Sequence, residues 1–219
     1  MKDFTKISPP VISRRAHHHK EMLTSSLMWM NEELNRYIGI TKNVPWFYNE
    51  RAVLGFFISG LIRRGDAVVL QEFSCYKDSK LKQSNSIGRS DLYFILQDEE
   101  YLVESKWCRT SANERSDSAD AMKWATDALH QANLYRNDAE VKENNVFSLC
   151  FEAIYCTNKP KSDYAETIKE WRVKQVNDLA GLDFYSLIEV TSEARKDWYR
   201  CNNLLFPALA VYGLFNSCR

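Results

Sequence analysis

GRSDLYFILQDEEYLVESKW, residues 88–107, is the stretch on which the fold turns. Two apolar runs, DLYFIL and YLVESKW, stand apart by Gln97-Asp98-Glu99-Glu100 alone, a spacing that predicts a β-hairpin. The runs carry Asp91, Glu104 and Lys106, although a carboxylate buried without a partner is costly. Either these groups pair with one another for structure or they hold a metal for chemistry. With the turn centred on Asp98-Glu99, Asp91 faces Lys106 and Tyr93 faces Glu104. Opposed residues share a face, as do residues two apart, so Asp91, Tyr93, Glu104 and Lys106 converge. Leu92, Phe94, Val103 and Ser105 take the other face. A one-residue bulge would break this parity.

Two carboxylates on adjacent strands suit a hard cation such as Mg²⁺, which prefers oxygen ligands. A lysine two residues from one of them can serve the attacking water or neutralise charge developing on a phosphate. The structural alternative is an Asp91–Lys106 cross-strand pair beside a solvated Glu104.

Outward from the hairpin, residues 67–76 (AVVLQEFSCY) predict a strand, and VFSLCFEAIYC (146–156) another. Asn49 offers an N-cap to a helix, ERAVLGFFISGLIRRG, that Gly65 can end. Further helices are expected over about 20–37, 118–137 and 162–178, with a strand at 184–190 and a last apolar run near 206–215. The order helix, three strands, helix, strand describes an α/β sandwich around a mixed sheet, with a hairpin in its middle. The first twenty residues, with Pro9-Pro10 and His17-His18-His19, read as an arm. The division expected is an N-terminal arm and helix over 1–48 and an α/β domain over 49–219.

G-R-S-D, twelve residues and then E-S-K resembles the PD-(D/E)XK nuclease superfamily, whose shared core has this same element order. The resemblance covers about Asn49 to Asn158. It implies a restriction-endonuclease-like α-β-β-β-α-β core, here with an N-terminal helical extension. It also implies that Asp91 and Glu104 bind Mg²⁺ or Mn²⁺, that the Ser105 carbonyl adds a ligand, and that Lys106 serves the attacking water. Ser90 stands where the name-giving proline would be. In this superfamily the helix before the strands often gives a metal-binding Glu, and Glu50 holds that place; an acid in a helix's first turn also complements the dipole without any ligand. Gln131 and Tyr135, one turn apart, are similar to the QxxxY motif of the exonuclease branch, where both line the active site. The iron–sulfur cluster of part of that branch is not implied, because its cysteine pattern is missing.

The loop KDSKLKQSNSIGR sets Lys77, Lys80, Lys82 and Arg89 against Asp78 and leads into Asp91, so it can hold a phosphate backbone. Arg109 and Arg115 extend the basic rim. A merely solvated loop accounts for the same charges. The His triplet reads as surface, His130 has no evident nucleophile, and Trp107, Trp124, Trp171 and Trp198 read as packing residues.

Over 219 residues the chain is 45% hydrophobic and 26% charged, with a formal net charge of zero. That fits a globular domain and disfavours a strongly basic nucleic-acid protein. The six cysteines are scattered, with neither a zinc nor a disulfide pattern. No signal peptide, membrane span, P-loop or dinucleotide motif is read, so a reduced, cytoplasmic setting is expected. The expectation is a Mg²⁺- or Mn²⁺-dependent deoxyribonuclease. DNA is the expected partner ahead of RNA, a homodimer is admitted, and neither membrane nor nucleotide cofactor is expected. The family's distribution implies prokaryotic or phage DNA processing or defence. The competing reading is a catalytically inactive module of this fold that binds nucleic acid or a protein.

Overall fold

A computed structural model describes residues 2–76, 87–112, 118–139, 141–157, 168 and 181–216. Lys77, Lys80, Lys82, Arg115, Trp171 and all but Ile168 of the helix expected over 162–178 lie outside them.

The chain is mixed α/β, with helices flanking one mostly antiparallel sheet. Its elements begin with β1 (Thr5–Ile7), β2 (Val11–Ile12), α1 (Lys20–Thr41) and α2 (Glu50–Arg63). β3 (Ala67–Tyr76), β4 (Ile87–Leu96) and β5 (Glu99–Ser111) follow as an antiparallel meander. After α3 (Ser118–Ala139), β6 (Val146–Thr157) lies parallel to β5. β7 (Phe184–Val190), β8 (Arg200–Cys201) and β9 (Leu204–Gly213) complete the sheet. Its order is β1-β7-β9-β6-β5-β4-β3, with β2 also on β7 and β8 also on β9.

The hairpin differs from the sequence expectation in its turn. The centre is Gln97-Asp98, at φ 52° and 63°, and Leu96 lies opposite Glu99. Positive φ at both central residues is the pattern of a two-residue type I′ turn, whose twist matches that of the strands. This register sets Phe94 against Tyr101, their rings stacked at 4.7 Å. Tyr93 therefore faces Leu102 and not Glu104, and the pairing ends at Leu92↔Val103, so Asp91 has no partner across the ladder and does not face Lys106. Moving the turn centre by one residue shifts pairing by two, so Leu92, Phe94 and Val103 keep their common face and Tyr93 stays on the other.

One face, with Leu92, Phe94 and Val103, packs in the main core with α1 and α2. On the other, Tyr93 and Leu102 join Ala132 and Tyr135 of α3. Ala121, Ala125, Ala128 and Ala132 recur at helical spacing on the buried side of α3 and let it approach the sheet closely. No described helix is long and apolar enough to cross a membrane. Cys108, Cys150, Cys156 and Cys201 are free thiols.

The N-terminal arm is a second correction. Thr5–Ile7 and Val11–Ile12 pair with β7 across the sheet, so they share one sheet with the rest of the chain. The α1 helix buries Leu23, Leu27, Met30 and Leu34 in the common core. The His triplet is not all surface either. His19 is 2% exposed, stacks on Phe215 at 4.1 Å, and its Nε2–H donates to the Asn144 carbonyl at 2.9 Å. Burial, helped by His18, lowers its pKa from 6.5 to about 4. The neutral ring thus contributes stability that is complete above pH 6.5 and is lost as pH falls through 4. The shift corresponds to about 3 kcal/mol. His19→Gln, which can still donate to Asn144, should flatten the fall in urea midpoint between pH 6.5 and 4; an unchanged slope would assign that fall to other groups.

Candidate active site at the hairpin fork

β4 and β5 pair only as far as Leu92↔Val103. Beyond that step β4 stays with β3, while β5 runs on beside β6 through Ser111↔Tyr155. The sheet forks there, and strand backbone that leaves a ladder needs new hydrogen-bond partners. Side chains supply them. Ser90 Oγ donates to the Val103 carbonyl at 3.1 Å, and the Ser105 N–H donates to Asp91 Oδ2 at 2.8 Å. The charged residues of the opening stretch therefore sit where the hairpin divides.

Glu50 reaches the fork from the first turn of α2. Asn49 caps that helix by accepting from the Ala52 N–H at 3.0 Å. The preceding turn, Pro45–Phe47, is fixed to the sheet: the Trp46 indole donates to the Phe206 carbonyl at 3.0 Å, and the Trp107 indole to the Trp46 carbonyl at 3.1 Å. So anchored, Glu50 Oε1 lies 2.6 Å from Ser105 Oγ, which also lies 3.0 Å from Asp91 Oδ2. One hydroxyl proton cannot serve both carboxylates, so one of the two contacts calls for a proton on a carboxyl. Glu50 is suited to carry it. Burial raises its pKa, opposed by the Ser105 hydrogen bond, with the Asp91 charge raising it further.

The pKa of Glu104 is strongly perturbed. It is 7% exposed, accepts from the Asp91 backbone N–H, and its Oε2 has no hydrogen-bond partner. Burial first, then the Asp91 charge, raises its pKa from 4.5 to about 8, against the opposing Lys106 ammonium. Lys106 Nζ donates to Gln131 Oε1 of α3 at 2.8 Å. Among the described residues no group of three or more His, Cys, Asp or Glu side chains is placed to hold a metal ion. Glu50 meets Asp91 through Ser105 Oγ, and Asp91 and Glu50 both lie close enough to Glu104 to raise its pKa.

The structure thus gathers Glu50, Asp91, Glu104, Ser105, Lys106 and Gln131. Tyr135, the other residue of the QxxxY pair, lies in the small core on the α3 side of the sheet. It is 5% exposed, one turn beyond Gln131, packed in the small core with Leu102, Val141 and Val146. Arg109 is engaged in holding the Pro45–Phe47 turn: it donates to the Phe47 carbonyl and lies 4.9 Å over the Trp107 ring. Arg89 is paired with Glu72 at 3.0 Å.

Sequence reasoning passed over Glu152. This residue is 5% exposed on β6, opposite Cys108 and one step along the same face from Cys150, the partner of Lys106. A single Glu inside VFSLCFEAIYC is the same kind of signal that marks Asp91 and Glu104, a charge in a strand-like run.

Comparison with protein-family models, with curated proteins and with solved structures returns no significant match to this chain.

Proposed function

We propose that this chain is a Mg²⁺- or Mn²⁺-dependent nuclease that hydrolyses phosphodiester bonds of DNA, built on a restriction-endonuclease-like core running from α2 to β6. One observation carries this reading: a buried Glu104 oxygen without a partner, beside the Asp91 carboxylate. A charge network kept for structure alone would satisfy that oxygen, because leaving a buried acceptor unpaired is expensive. Carboxylate oxygens crowded in this way are the donor set a hard divalent cation takes. The Lys106 ammonium supports the same reading, since it is given to Gln131 and not to an Asp91 ion pair.

Asp91 and Glu104 would hold the cation, and Ser105 fixes Asp91 through both its N–H and its hydroxyl. Bound there, the cation would polarise the phosphodiester and stabilise the leaving oxygen. Lys106, steadied by Gln131, orients the attacking water and neutralises charge gathering on the phosphate oxygens. Glu50, at the far side of Ser105, sets the hydroxyl that positions Asp91.

The test is incubation of the protein with linear, circular and single-stranded DNA in Mg²⁺, Mn²⁺ or EDTA. Cleavage that appears with metal and vanishes in EDTA is expected. DNA binding without cleavage under every metal condition would replace this reading with that of an inactive module. The pattern of cut substrates would also separate internal cutting from cutting at ends.

A further inference from the structure

Two arginines stand beside the fork and outside its hydrogen-bond network. Arg51 follows Glu50 in the first turn of α2, and Arg89 lies two residues before Asp91 on β4, roughly 7 Å along the strand. Glu72 of β3 holds both. Arg51 Nη2 is 2.9 Å from its Oε1, and Arg89 Nη1 is 3.0 Å from its Oε2. The Arg51 and Arg89 side chains are 76% and 67% exposed, so each guanidinium keeps donors turned to water.

The backbone of Glu72 is left-handed, at φ 52°, inside a strand. The β3–β4 ladder pairs Gln71 with Leu92 and resumes at Phe73↔Ser90, skipping the step that Glu72 shares with Asp91. Residues with a Cβ avoid this conformation, and strain of this kind gathers where a site has to be held in one geometry. An exposed ion pair adds too little stability to account for it. Two guanidiniums on one carboxylate leave a net positive charge. Arginine's planar fork matches phosphate, and a guanidinium already held by Glu72 loses less freedom when it binds.

We propose that Arg51 and Arg89, set by Glu72, form a phosphate clamp that seats the DNA backbone beside Asp91 and Glu104. The clamp rests on the reading of this chain as a DNA-cutting enzyme, and it concerns holding DNA, not cutting it. Glu72 acts as a positioning residue, and the arginines touch the substrate.

The experiment measures anisotropy of a labelled linear duplex across a salt series in EDTA, where a metal-dependent nuclease cannot cut. Arg51→Ala and Arg89→Ala are each expected to weaken binding by about tenfold or less and to flatten the salt slope by about one. Arg89→Lys should keep the slope and recover only part of the affinity, because it lacks the fork. Should an alanine variant melt early, Arg51→Gln and Arg89→Gln, which can still donate to Glu72, take its place. Alanine or glutamine variants that keep wild-type affinity and slope, in a protein that cuts DNA, overturn the clamp alone. Arginine-dependent binding by a wild type that cuts nothing in Mg²⁺ or Mn²⁺ overturns the nuclease reading and leaves the clamp standing. A wild type that binds no DNA overturns both.

Discussion

Lys106→Ala is expected to cut DNA at least about a hundredfold more slowly than the wild type in the same metal, with its affinity for DNA little changed. Lys106 hydrogen-bonds Gln131 and is close enough to Glu104 to oppose its pKa rise, where in the proposed reaction its charge would act on the phosphate. The side chain lies outside the hydrophobic core, so its loss should leave the fold intact. Groups that act chiefly in the transition state lower kcat far more than they raise KM. The Lys106 charge also opposes the rise in the Glu104 pKa, so the variant should hold the Glu104 proton to still higher pH. Unchanged cleavage by Lys106→Ala would remove it from the mechanism.

Glu104→Gln should be more stable than the wild type in EDTA at alkaline pH, and inactive. The Glu104 pKa is about 8 in the folded chain against 4.5 ordinarily, so the folded state resists ionisation. Below pH 4.5 the carboxyl is protonated whether or not the chain is folded, and it costs nothing. As pH rises toward 8 the unfolded chain ionises freely, the folded one does not, and stability is lost over that window. The full shift is worth about 5 kcal/mol. An amide escapes this loss. It keeps an oxygen for the Asp91 N–H and replaces the unpartnered buried oxygen with a neutral NH₂ group. A gain of roughly 2–4 kcal/mol at pH 8.5 would raise Tm by about 4–16 °C for a chain of this size. Added Mg²⁺ should raise the Tm of the wild type and not of the variant, since a ligand stabilises only the state that binds it. A variant that melts below the wild type at every pH would show Glu104 to be a favourable structural charge, and the cation reading of the fork would fall with it.

Much of the scaffold around the fork was legible before any coordinates. Alternation with period two separates Leu92, Phe94 and Val103 from Tyr93 whichever turn centre is taken. Asn49 signalled the start of α2, and with it the position of Glu50 one residue on. The turn centre was not legible, because Gln97-Asp98 and Asp98-Glu99 are locally similar. The choice between them is made by stacking Phe94 on Tyr101. The arm was misread because Thr5–Ile7 and Val11–Ile12 are too short to show a period. They are strands because β7, far along the chain, offers them an edge. His19 was misread for the same reason, its burial being made by Phe215 and Asn144.

Residue type and spacing alone settled which groups could share a face and which helix would bring an acid to them, since those follow from the repeat of a strand and the cap of a helix. Folding in three dimensions decided that β4 and β5 part at Leu92 and Val103, that Ser105 joins Glu50 to Asp91, and that Glu104 resists ionisation near neutral pH. A carboxyl's pKa depends on how much water every surrounding atom excludes, and Glu104 is acted on by Glu50 of α2 and Asp91 of β4 and lies beside Ser148 of β6.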